Sequence, residues 1–274
     1  MPELPEAETI VRDLRRRVVG SAITRIAVPR PDVLVPPLDT RRLQAGLHGH
    51  RIAGCSRRAK KVVLSLEDDR RIVIHLGMTG RVMTSDAAPA AELRHVVVRI
   101  GLEDGRAILF DDARRFGRLE ILDPADWPAW SAALVPEPLS AAFTADSLLS
   151  GLRRSTSPIR NWLLDQKRVA GIGNIYACEA LFRAGVRPAR RARSLTRREA
   201  AALHAAIRDV LREAIRARGT TFRDYRDAEG RRGAFQLRLA VYDREGLPCF
   251  ACSRPIRRTV LANRSAFHCP GCQR

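Results

Sequence analysis

The chain has 274 residues, of which 45% are hydrophobic and 29% charged, and its formal net charge is +19. This hydrophobic content excludes a wholly disordered protein, and the charge favours a polyanionic partner. No apolar run approaches the ~20 residues of a membrane span, and the acidic start of the chain lacks the apolar stretch of a signal peptide. We therefore expect a cytoplasmic protein with no membrane contact.

The first part of the chain, residues 1–132, is predicted to be β-rich after one N-terminal helix. Ile10, Leu14 and Val18 fall on one helical face, and Gly20 is a stop signal. Short β-branched runs follow, separated by turn residues: Ile23–Val28, Val62–Leu66, Ile72–Leu76, Val96–Ile100, Ala107–Phe110 and Leu119–Leu122. This pattern is typical of a β-sandwich or barrel that carries a helix.

The middle part, residues 136–228, is predicted to be helical. Ser157 and Pro158 predict a cap and a first-turn proline, and Asn174 is the predicted cap of a helix that stops at Gly185. The stretch Thr196–Glu199 has the sequence of a capping box and opens a long amphipathic helix.

The last part, residues 235–274, contains a cysteine module. Cys249 and Cys252 are followed, after sixteen residues, by Cys269 and Cys272. This spacing predicts one four-thiolate, structural zinc ion that supports a hairpin, because four thiolates leave no open position for catalysis. The alternative is two disulfides, which a cytoplasmic location disfavours. Arginines inside the module indicate a phosphate-contacting tip: Arg254, Arg257, Arg258 and Arg264.

The N-terminus itself carries a candidate nucleophile. Pro2 follows Met1, and removal of the initiator methionine would leave a secondary amine at the chain terminus. An N-terminal amine titrates about 2.5 units below lysine, so far more of it is the free base at neutral pH. Glu3 and Glu6 lie close enough to exchange protons with it, although acidic residues also favour a helix start through the helix dipole.

Six short motifs stand in a fixed order along nearly the whole chain. They are Pro2–Thr9 (PELPEAET), Arg57–Lys60 (RRAK), His75–Gly80 (HLGMTG), Asp111–Gly117 (DDARRFG), Gly171–Tyr176 (GIGNIY) and the cysteine module. This ordered set resembles the bacterial formamidopyrimidine-DNA glycosylase family. The resemblance implies an α+β multidomain fold, with an N-terminal β-sandwich carrying an N-terminal helix (1–132), a helix–two-turn–helix domain (136–228) and a C-terminal β-hairpin zinc finger (235–274).

The resemblance also implies an enzyme and its catalytic residues. Such a protein removes 8-oxoguanine and ring-opened purines from damaged double-stranded DNA and then cuts the abasic strand by β,δ-elimination, as a step of base excision repair. Pro2 is then the nucleophile at the sugar C1′, Glu3 the proton shuttle and Glu6 a support for the amine. Lys60 contacts the phosphate beside the lesion. The family further suggests a monomer, associated with the bacterial nucleoid.

DNA-contact residues follow from the same motifs. A glycosylase must extrude its base from the stack, and inserted side chains fill the gap. The resemblance makes Met78, Arg114 and Phe116 these wedge residues. The resemblance assigns further phosphate contacts to four residues: Asn174, Arg264, His75 and Tyr242. Residues 224–233 correspond to a loop over the flipped base, and their composition predicts mobility without DNA.

The chain departs from the family pattern at four positions, and two other functions stay open. Lys61 stands in place of an aromatic residue, Ala113 of a proline, Ala234 of an aromatic residue and Asp243 of a glycine. The first alternative is the endonuclease VIII branch of the same fold, which prefers oxidised pyrimidines; Leu4 and the Met78 turn favour the purine branch. The second is a non-enzymatic zinc-ribbon DNA-binding protein. RNA binding has no aromatic platform motif to support it.

Overall fold

The computed structural model describes residues 2–86, 93–222 and 225–274. The chain divides into two compact units. The N-terminal unit comprises Met1–Ala133 and Ile215–Gln236, and the C-terminal unit comprises Leu134–Ala214 and Leu237–Arg274. In the described part of the chain, no helix is both long enough and apolar enough to cross a membrane. The predicted three-domain division stays a prediction.

Among its described residues, the N-terminal unit contains two antiparallel sheets and the helices α1 to α3. Its elements are α1 Leu4–Val18, β1 Ile23–Ala27, α2 Thr40–Leu47, β2 Ile52–Arg58, β3 Lys61–Leu66, β4 Arg71–His75, β5 Arg81–Thr84, β6 Val96–Leu102, β7 Ala107–Asp111, β8 Arg118–Leu122 and α3 Trp127–Ala132. One sheet has the order β1-β6-β7-β5 and the other β2-β3-β4-β8. The predicted α+β fold with its sandwich-like sheets is confirmed.

One hydrophobic core joins α1 to the strands of this unit. Ile10 and Leu14 of α1 cluster with Leu64, Ile74 and Phe110 of the sheets, and all five are almost completely buried. A second, smaller cluster explains why β3 and β4 are apolar on both faces. Val63 and Val73 pack there with the tryptophans of α3, Trp127 and Trp130. Helix α3 thus covers an otherwise exposed face of the second sheet.

The C-terminal unit is helical except for one hairpin. Its elements are α4 Ala145–Arg153, α5 Ile159–Leu164, α6 Asn174–Arg183, α7 Arg197–Arg216, β9 Arg257–Leu261 and β10 Arg264–His268. The predicted capping box is confirmed: the Thr196 N–H donates to Glu199 Oε2 (2.8 Å) and the Glu199 N–H to Thr196 Oγ1 (3.2 Å).

Two other predicted helix caps are wrong. Gly173, not Asn174, is the N-cap of α6, since the Asn174 side chain bonds elsewhere, and Pro158, not Ser157, precedes the first residue of α5. The Ser157 hydroxyl instead pairs with Ser155 Oγ at 2.8 Å.

Candidate active site

The N-terminal segment is fixed at the start of α1. Pro2 is buried, and Glu3, which is only 2% exposed, is the N-cap of the helix. Pro5 occupies the first turn, where its missing N–H is harmless and its fixed φ suits the helix. Glu3 and Glu6 form a capping box, which helps to fix the direction in which residue 2 leaves the helix.

Glu6 ties this segment to a distant part of the N-terminal unit. One carboxylate oxygen accepts the Glu3 N–H at 2.8 Å, and the other accepts the Thr220 N–H at 2.7 Å. Gly219 has a φ of +83°, and a side chain there would bring its Cβ to 2.8 Å from Glu6 Oε1. The carboxylate is 1% exposed and bonded on both oxygens. Glu6 therefore positions the N-terminus and is poorly placed to shuttle protons.

Lys60 lies at the turn of the β2–β3 hairpin. Ala59, directly before it, has a left-handed φ of 54°. Arg57 Nη1 donates to the Ala59 carbonyl at 2.8 Å, and Arg57 Nε pairs with Glu8 of α1 at 3.1 Å. Burial alone would raise the pKa of Glu8, but hydrogen bonds from Arg12 and the charges of both arginines lower it below its usual value. An ionised carboxylate on α1 thus anchors the turn that carries Lys60.

His75 ends β4 directly opposite Lys61 of β3. Burial lowers the pKa of His75 to about 4, helped by the positive charges of Lys61 and Lys60. The ring is therefore neutral at pH 7, and its Nδ1 accepts the Gly77 N–H at 3.3 Å. This contact leaves Nε2 to carry the proton. His75 is thus a neutral hydrogen-bond donor, which suits a contact with a phosphate oxygen.

The three predicted wedge residues lie on two turns of the N-terminal unit. Met78 follows β4 and is 41% exposed, while Phe116 lies between β7 and β8 and is 49% exposed. The Arg114 guanidinium stacks on the Phe116 ring at 4.6 Å. Large apolar side chains are exposed here on rigid turns, as an insertion into stacked bases requires.

The C-terminal unit brings Asn174 and the β9–β10 hairpin together through a buried arginine. Arg160 is 1% exposed and donates to Asn174 Oδ1 at 3.0 Å and to the Leu261 and Ser265 carbonyls, each at 3.0 Å. Asn174 Nδ2 also donates to the Ser265 carbonyl at 2.9 Å. Arg264, exposed at the start of β10, is thereby held beside the N-terminus of α6.

Tyr242 is positioned by a second buried charge. Glu179 of α6 is fully buried, and its carboxylate accepts the N–H groups of Ala240, Val241 and Tyr242 at 2.8 to 3.0 Å. Burial nevertheless raises the pKa of Glu179, and these three donors oppose that rise. The Tyr242 ring packs edge-on against Phe267 at 5.1 Å. This contact joins Tyr242 to the hairpin strand β10.

The four cysteines form a zinc site. Their Sγ atoms all lie within 4.8 Å of one another, with Cys249 and Cys272 at 3.8 Å and Cys252 and Cys269 at 3.3 Å. Zn–S bonds of about 2.3 Å in a tetrahedron separate sulfurs by about 3.8 Å, whereas a disulfide needs about 2.05 Å. The sulfurs fit the ion and exclude the two-disulfide alternative, so the predicted zinc is confirmed.

The core around the zinc site is small. Cys178 packs there with Val241, Ile256 and Phe267. Few apolar residues hold this hairpin, so the metal supplies much of its stability.

Two departures from the family pattern have a local explanation. Lys61 Nζ lies 4.8 Å from the centre of the Trp130 ring, so the lysine at this position makes a cation–π contact. Asp243 has a φ of 58°, a left-handed backbone that glycine adopts freely and aspartate tolerates better than most residues. The structure gives no reason for Ala113 or Ala234.

Sequence reasoning missed the residues that hold the site together. Arg160, Glu179 and Thr220 bond to partners far away in the sequence, and no motif or spacing signals such contacts. Asp224 of the predicted loop lies outside the described residues. From Tyr225 on, the loop packs within the N-terminal unit, where Asp227 is fully buried and pairs with Arg218.

Comparison with known proteins gives matches over the whole chain. Residues 1–119 match the formamidopyrimidine-DNA glycosylase N-terminal domain and residues 134–226 the H2TH domain of the same proteins. The formamidopyrimidine-DNA glycosylase of Chloroflexus aggregans is 45% identical over 274 residues, covering 100% of this chain and 98% of the relative. That of Desulforamulus reducens is 43% identical over 282 residues, covering 100% and 99%.

Solved structures agree with these relatives. The MutM (Fpg) protein of Thermus thermophilus superposes with a TM-score of 0.88 at 44% identity, covering 99% of this chain and 98% of the other. The Lactococcus lactis Fpg in complex with DNA containing an abasic site gives a TM-score of 0.91 at 31% identity, covering 99% of each chain. On its ordered motifs, its two sheets, its four-cysteine site and these full-length matches, the chain belongs to the formamidopyrimidine-DNA glycosylase family.

Proposed function

We propose that this protein is a DNA glycosylase and abasic-site lyase that excises oxidised purines, 8-oxoguanine and formamidopyrimidines, from duplex DNA in base excision repair. Its relatives carry the name of that activity, and the Lactococcus lactis Fpg structures contain abasic-site and Fapy-dG DNA. One observation in this chain carries the proposal: a buried Pro2 directly precedes the capping pair Glu3 and Glu6, in the same unit as Lys60 and the exposed wedge residues.

The proposed reaction begins with the freed amine of Pro2. It attacks the sugar C1′ and the damaged base leaves with a proton; the C1′–O4′ bond then breaks, O4′ takes up a proton, and an iminium forms between nitrogen and C1′. The iminium acidifies the C2′–H bond, so its proton is lost and the 3′ phosphate departs by β-elimination. A second elimination releases the 5′ phosphate, and hydrolysis of the iminium returns the amine. Each step needs proton transfer beside the amine.

Glu3 is the residue best placed for these proton transfers. It is buried beside Pro2 at the N-cap of α1, where it can protonate the sugar oxygen and open the ring. Glu6 supports the amine by position, since both of its oxygens accept backbone N–H groups. Lys60, on a turn anchored to α1 through Arg57, supplies a positive charge for the phosphate beside the lesion.

The other predicted site residues extrude the damaged base and bind the phosphate backbone of the DNA. Met78, Arg114 and Phe116 enter the stack, with Arg114 facing the orphaned base. His75 donates from its neutral ring, and Asn174, Tyr242 and Arg264 bind phosphate from the C-terminal unit. The four thiolates of Cys249, Cys252, Cys269 and Cys272 hold the zinc, which stabilises the hairpin and takes no part in the chemistry.

The same proposal covers organisation and location. The chain works as a monomer in the cytoplasm, on the nucleoid, with no membrane contact. Its three functional parts are a catalytic domain at 1–132, a helix–two-turn–helix domain at 136–228 and a zinc finger at 235–274. The charge of +19 supports a polyanionic partner for the whole assembly.

Borohydride reduction of the enzyme on abasic duplex DNA tests the chemistry. The reduced adduct is digested and its attachment site mapped by mass spectrometry. We expect the deoxyribose on the nitrogen of Pro2, with Met1 removed. The sequence has lysine only at positions 60, 61 and 167, so a competing linkage is easily recognised. Lys167→Arg, an exposed residue of the C-terminal unit, is the matched control and should trap normally. Attachment to a lysine would overturn the mechanism.

A substrate panel tests the specificity. Single-turnover excision is compared on 8-oxoguanine:cytosine and thymine-glycol duplexes, with at least a tenfold preference expected for the oxidised purine. A reversed preference would favour the endonuclease VIII-like alternative. Tight, salt-sensitive binding with no adduct and no cleavage would favour the non-enzymatic one.

A further inference from the structure

Asp112 and Thr79 lie in two of the ordered motifs but have no role in the function proposed above. Their side chains join the two turns that carry the wedge residues. We propose that they are positioning residues that lock the Met78 turn and the Arg114–Phe116 turn into one rigid element, and that this rigidity is needed to extrude the damaged base. The inference rests on the proposed function, since it concerns how the same site handles a damaged base.

The hydrogen bonds of Asp112 span both turns. Asp112 follows β7 and is 1% exposed. Its Oδ1 accepts the Thr79 hydroxyl at 2.5 Å and the Arg114 N–H at 3.3 Å, and its Oδ2 accepts the Gly117 N–H at 2.7 Å. Thr79 Oγ1 also lies 3.3 Å from the Arg114 nitrogen. One buried carboxylate and one hydroxyl thus fix the backbone on both sides of Phe116 to the residue that follows Met78.

The two turns also meet backbone to backbone. Gly77 has a φ of +62°, and a Cβ there would come within 2.6 Å of the Gly117 nitrogen and 2.7 Å of the Phe116 carbonyl carbon. At Gly117 a Cβ would lie 2.9 Å from Asp112 Oδ2. Only glycine permits this approach. The glycine contact and the Asp112 carboxylate are buried, while Met78 and Phe116 are exposed, so a hydrogen-bonded base carries two protruding side chains.

Rigidity of this kind matters at one step in particular. Extruding a base costs a few kcal/mol of stacking and pairing, and the inserted side chains must fill the gap in register to offset it. Turns that move independently would fill the gap less often, because a displacement of about 1 Å can cost a hundredfold in rate. An abasic site has no base to extrude. Loss of the brace should therefore slow excision of an intact damaged base and spare cleavage at a preformed abasic site.

Asp111, the last residue of β7 and the neighbour of Asp112, offers a contrast. It is 2% exposed, and its carboxylate binds Arg81 Nη2 at 2.7 Å and the His95 N–H at 2.8 Å. These bonds join β5 and β6 to β7 and do not reach the wedge turns. Asp111 is therefore a buried carboxylate whose loss should lower the stability of the fold without a specific effect on the wedge turns.

The test compares Thr79→Val with Thr79→Ser. Valine keeps the shape and removes the hydroxyl, whereas serine retains it. We expect Thr79→Val to lower the single-turnover excision rate on 8-oxoguanine:cytosine DNA about tenfold and to change cleavage of preformed abasic DNA less than about twofold. Thr79→Ser should restore most of the excision rate. Asp111→Asn, with its melting temperature measured alongside, shows what destabilisation alone does: it should change both reactions by the same factor.

A double-variant cycle with Phe116→Ala provides the second readout. If Thr79 acts through the wedge, Thr79→Val should add little to the excision defect of Phe116→Ala. The proposal is overturned if Thr79→Val excises at the wild-type rate, if it slows both reactions equally, or if the two defects multiply. A wild-type protein that neither excises nor traps abasic DNA would instead overturn the proposed function.

Discussion

Both compact units hold functional segments with buried carboxylates, and the C-terminal unit adds a metal site. In the N-terminal unit, Glu6 and Asp112 are buried carboxylates that bind backbone N–H groups of turns packed on a large core. In the C-terminal unit, the β9–β10 hairpin has only a small apolar cluster and is closed by four thiolates. A buried carboxylate needs a core to shield it, whereas a metal creates order where no core exists. In the C-terminal unit the buried Glu179 and Arg160 act beside this small core, and the metal adds order that the core alone does not supply.

Removing the zinc should give the largest effect. Zinc binding is worth roughly 10–16 kcal/mol to small finger peptides, so Cys269→Ser should release the ion and unfold the hairpin. We expect DNA affinity to fall at least about a hundredfold, because the proposed phosphate contact Arg264 lies on that hairpin. Released zinc is measured with a colorimetric chelator and DNA binding by fluorescence anisotropy.

Cys55→Ala is the matched control for this experiment. Cys55 is buried in the core of the N-terminal unit, away from the zinc spacing, and burial raises the pKa of its thiol to about 12. It should keep its zinc and its DNA affinity. The comparison between units would fail if Cys269→Ser lost its metal and still bound DNA as tightly as the wild type.

Changing the buried carboxylate of the N-terminal unit should give the next largest effect. In Glu6→Gln, one oxygen is replaced by an NH₂ group that faces a backbone N–H, either that of Glu3 or that of Thr220. We expect the free energy of unfolding to fall by about 2 kcal/mol, since a buried donor is left unpaired. Excision should also slow, because Pro2 loses its fixed position. Zinc content should stay at one ion per chain, because Glu6 lies in the other unit.

Urea denaturation and excision kinetics test this prediction, with Glu103→Gln measured in the same way as the control variant. Glu103 pairs with Arg51 at 2.7 Å on the surface, and exposed pairs contribute little to stability. We expect no measurable change in the control. Equal behaviour of the two variants would mean that burial gives Glu6 no special role.

The sequence predicted most helices and strands of the fold, but it did not predict the hydrogen bonds between residues far apart in the chain. Helix α1 and the zinc spacing were readable because helix periodicity and metal spacing are local patterns. Strand β5 was missed because it has only four residues, and β2 because Gly54 and charged residues interrupt its apolar pattern. The partner of Glu6 lies 214 residues away, and a contact of that kind follows only from the tertiary fold.

Asn174 shows the same limit within a motif. Its position before a helix predicted a cap, because asparagine is a preferred capping residue. In the structure Arg160 and the Ser265 carbonyl occupy its amide, so tertiary partners override the local preference. The motifs therefore nominate the residues of the proposed site, whereas the residues that orient them, Arg160 and Glu179 among them, carry no such local signal.

The smallest effect is expected from an exposed anchor of the C-terminal unit, Glu199. Hydrogen bonds from Arg190 lower the pKa of Glu199 to about 2, helped by those of Thr196. Its pKa is depressed in the folded state, so its contribution to stability is complete above pH 4.5 and disappears as the pH falls towards 2. Solvent screening at this partly exposed site leaves about 1 kcal/mol.

Glu199→Gln should therefore be about 1 kcal/mol less stable than the wild type at pH 6, and this difference should shrink below pH 4.5 and vanish towards pH 2. Acid also releases zinc from the four thiolates, but it does so equally in both proteins, so the difference between them isolates the carboxylate. Urea denaturation at several pH values gives that difference. If the difference stayed undiminished at pH 3, the cap would act through shape rather than charge, and the contrast between buried and partly exposed carboxylate anchors would rest on packing alone.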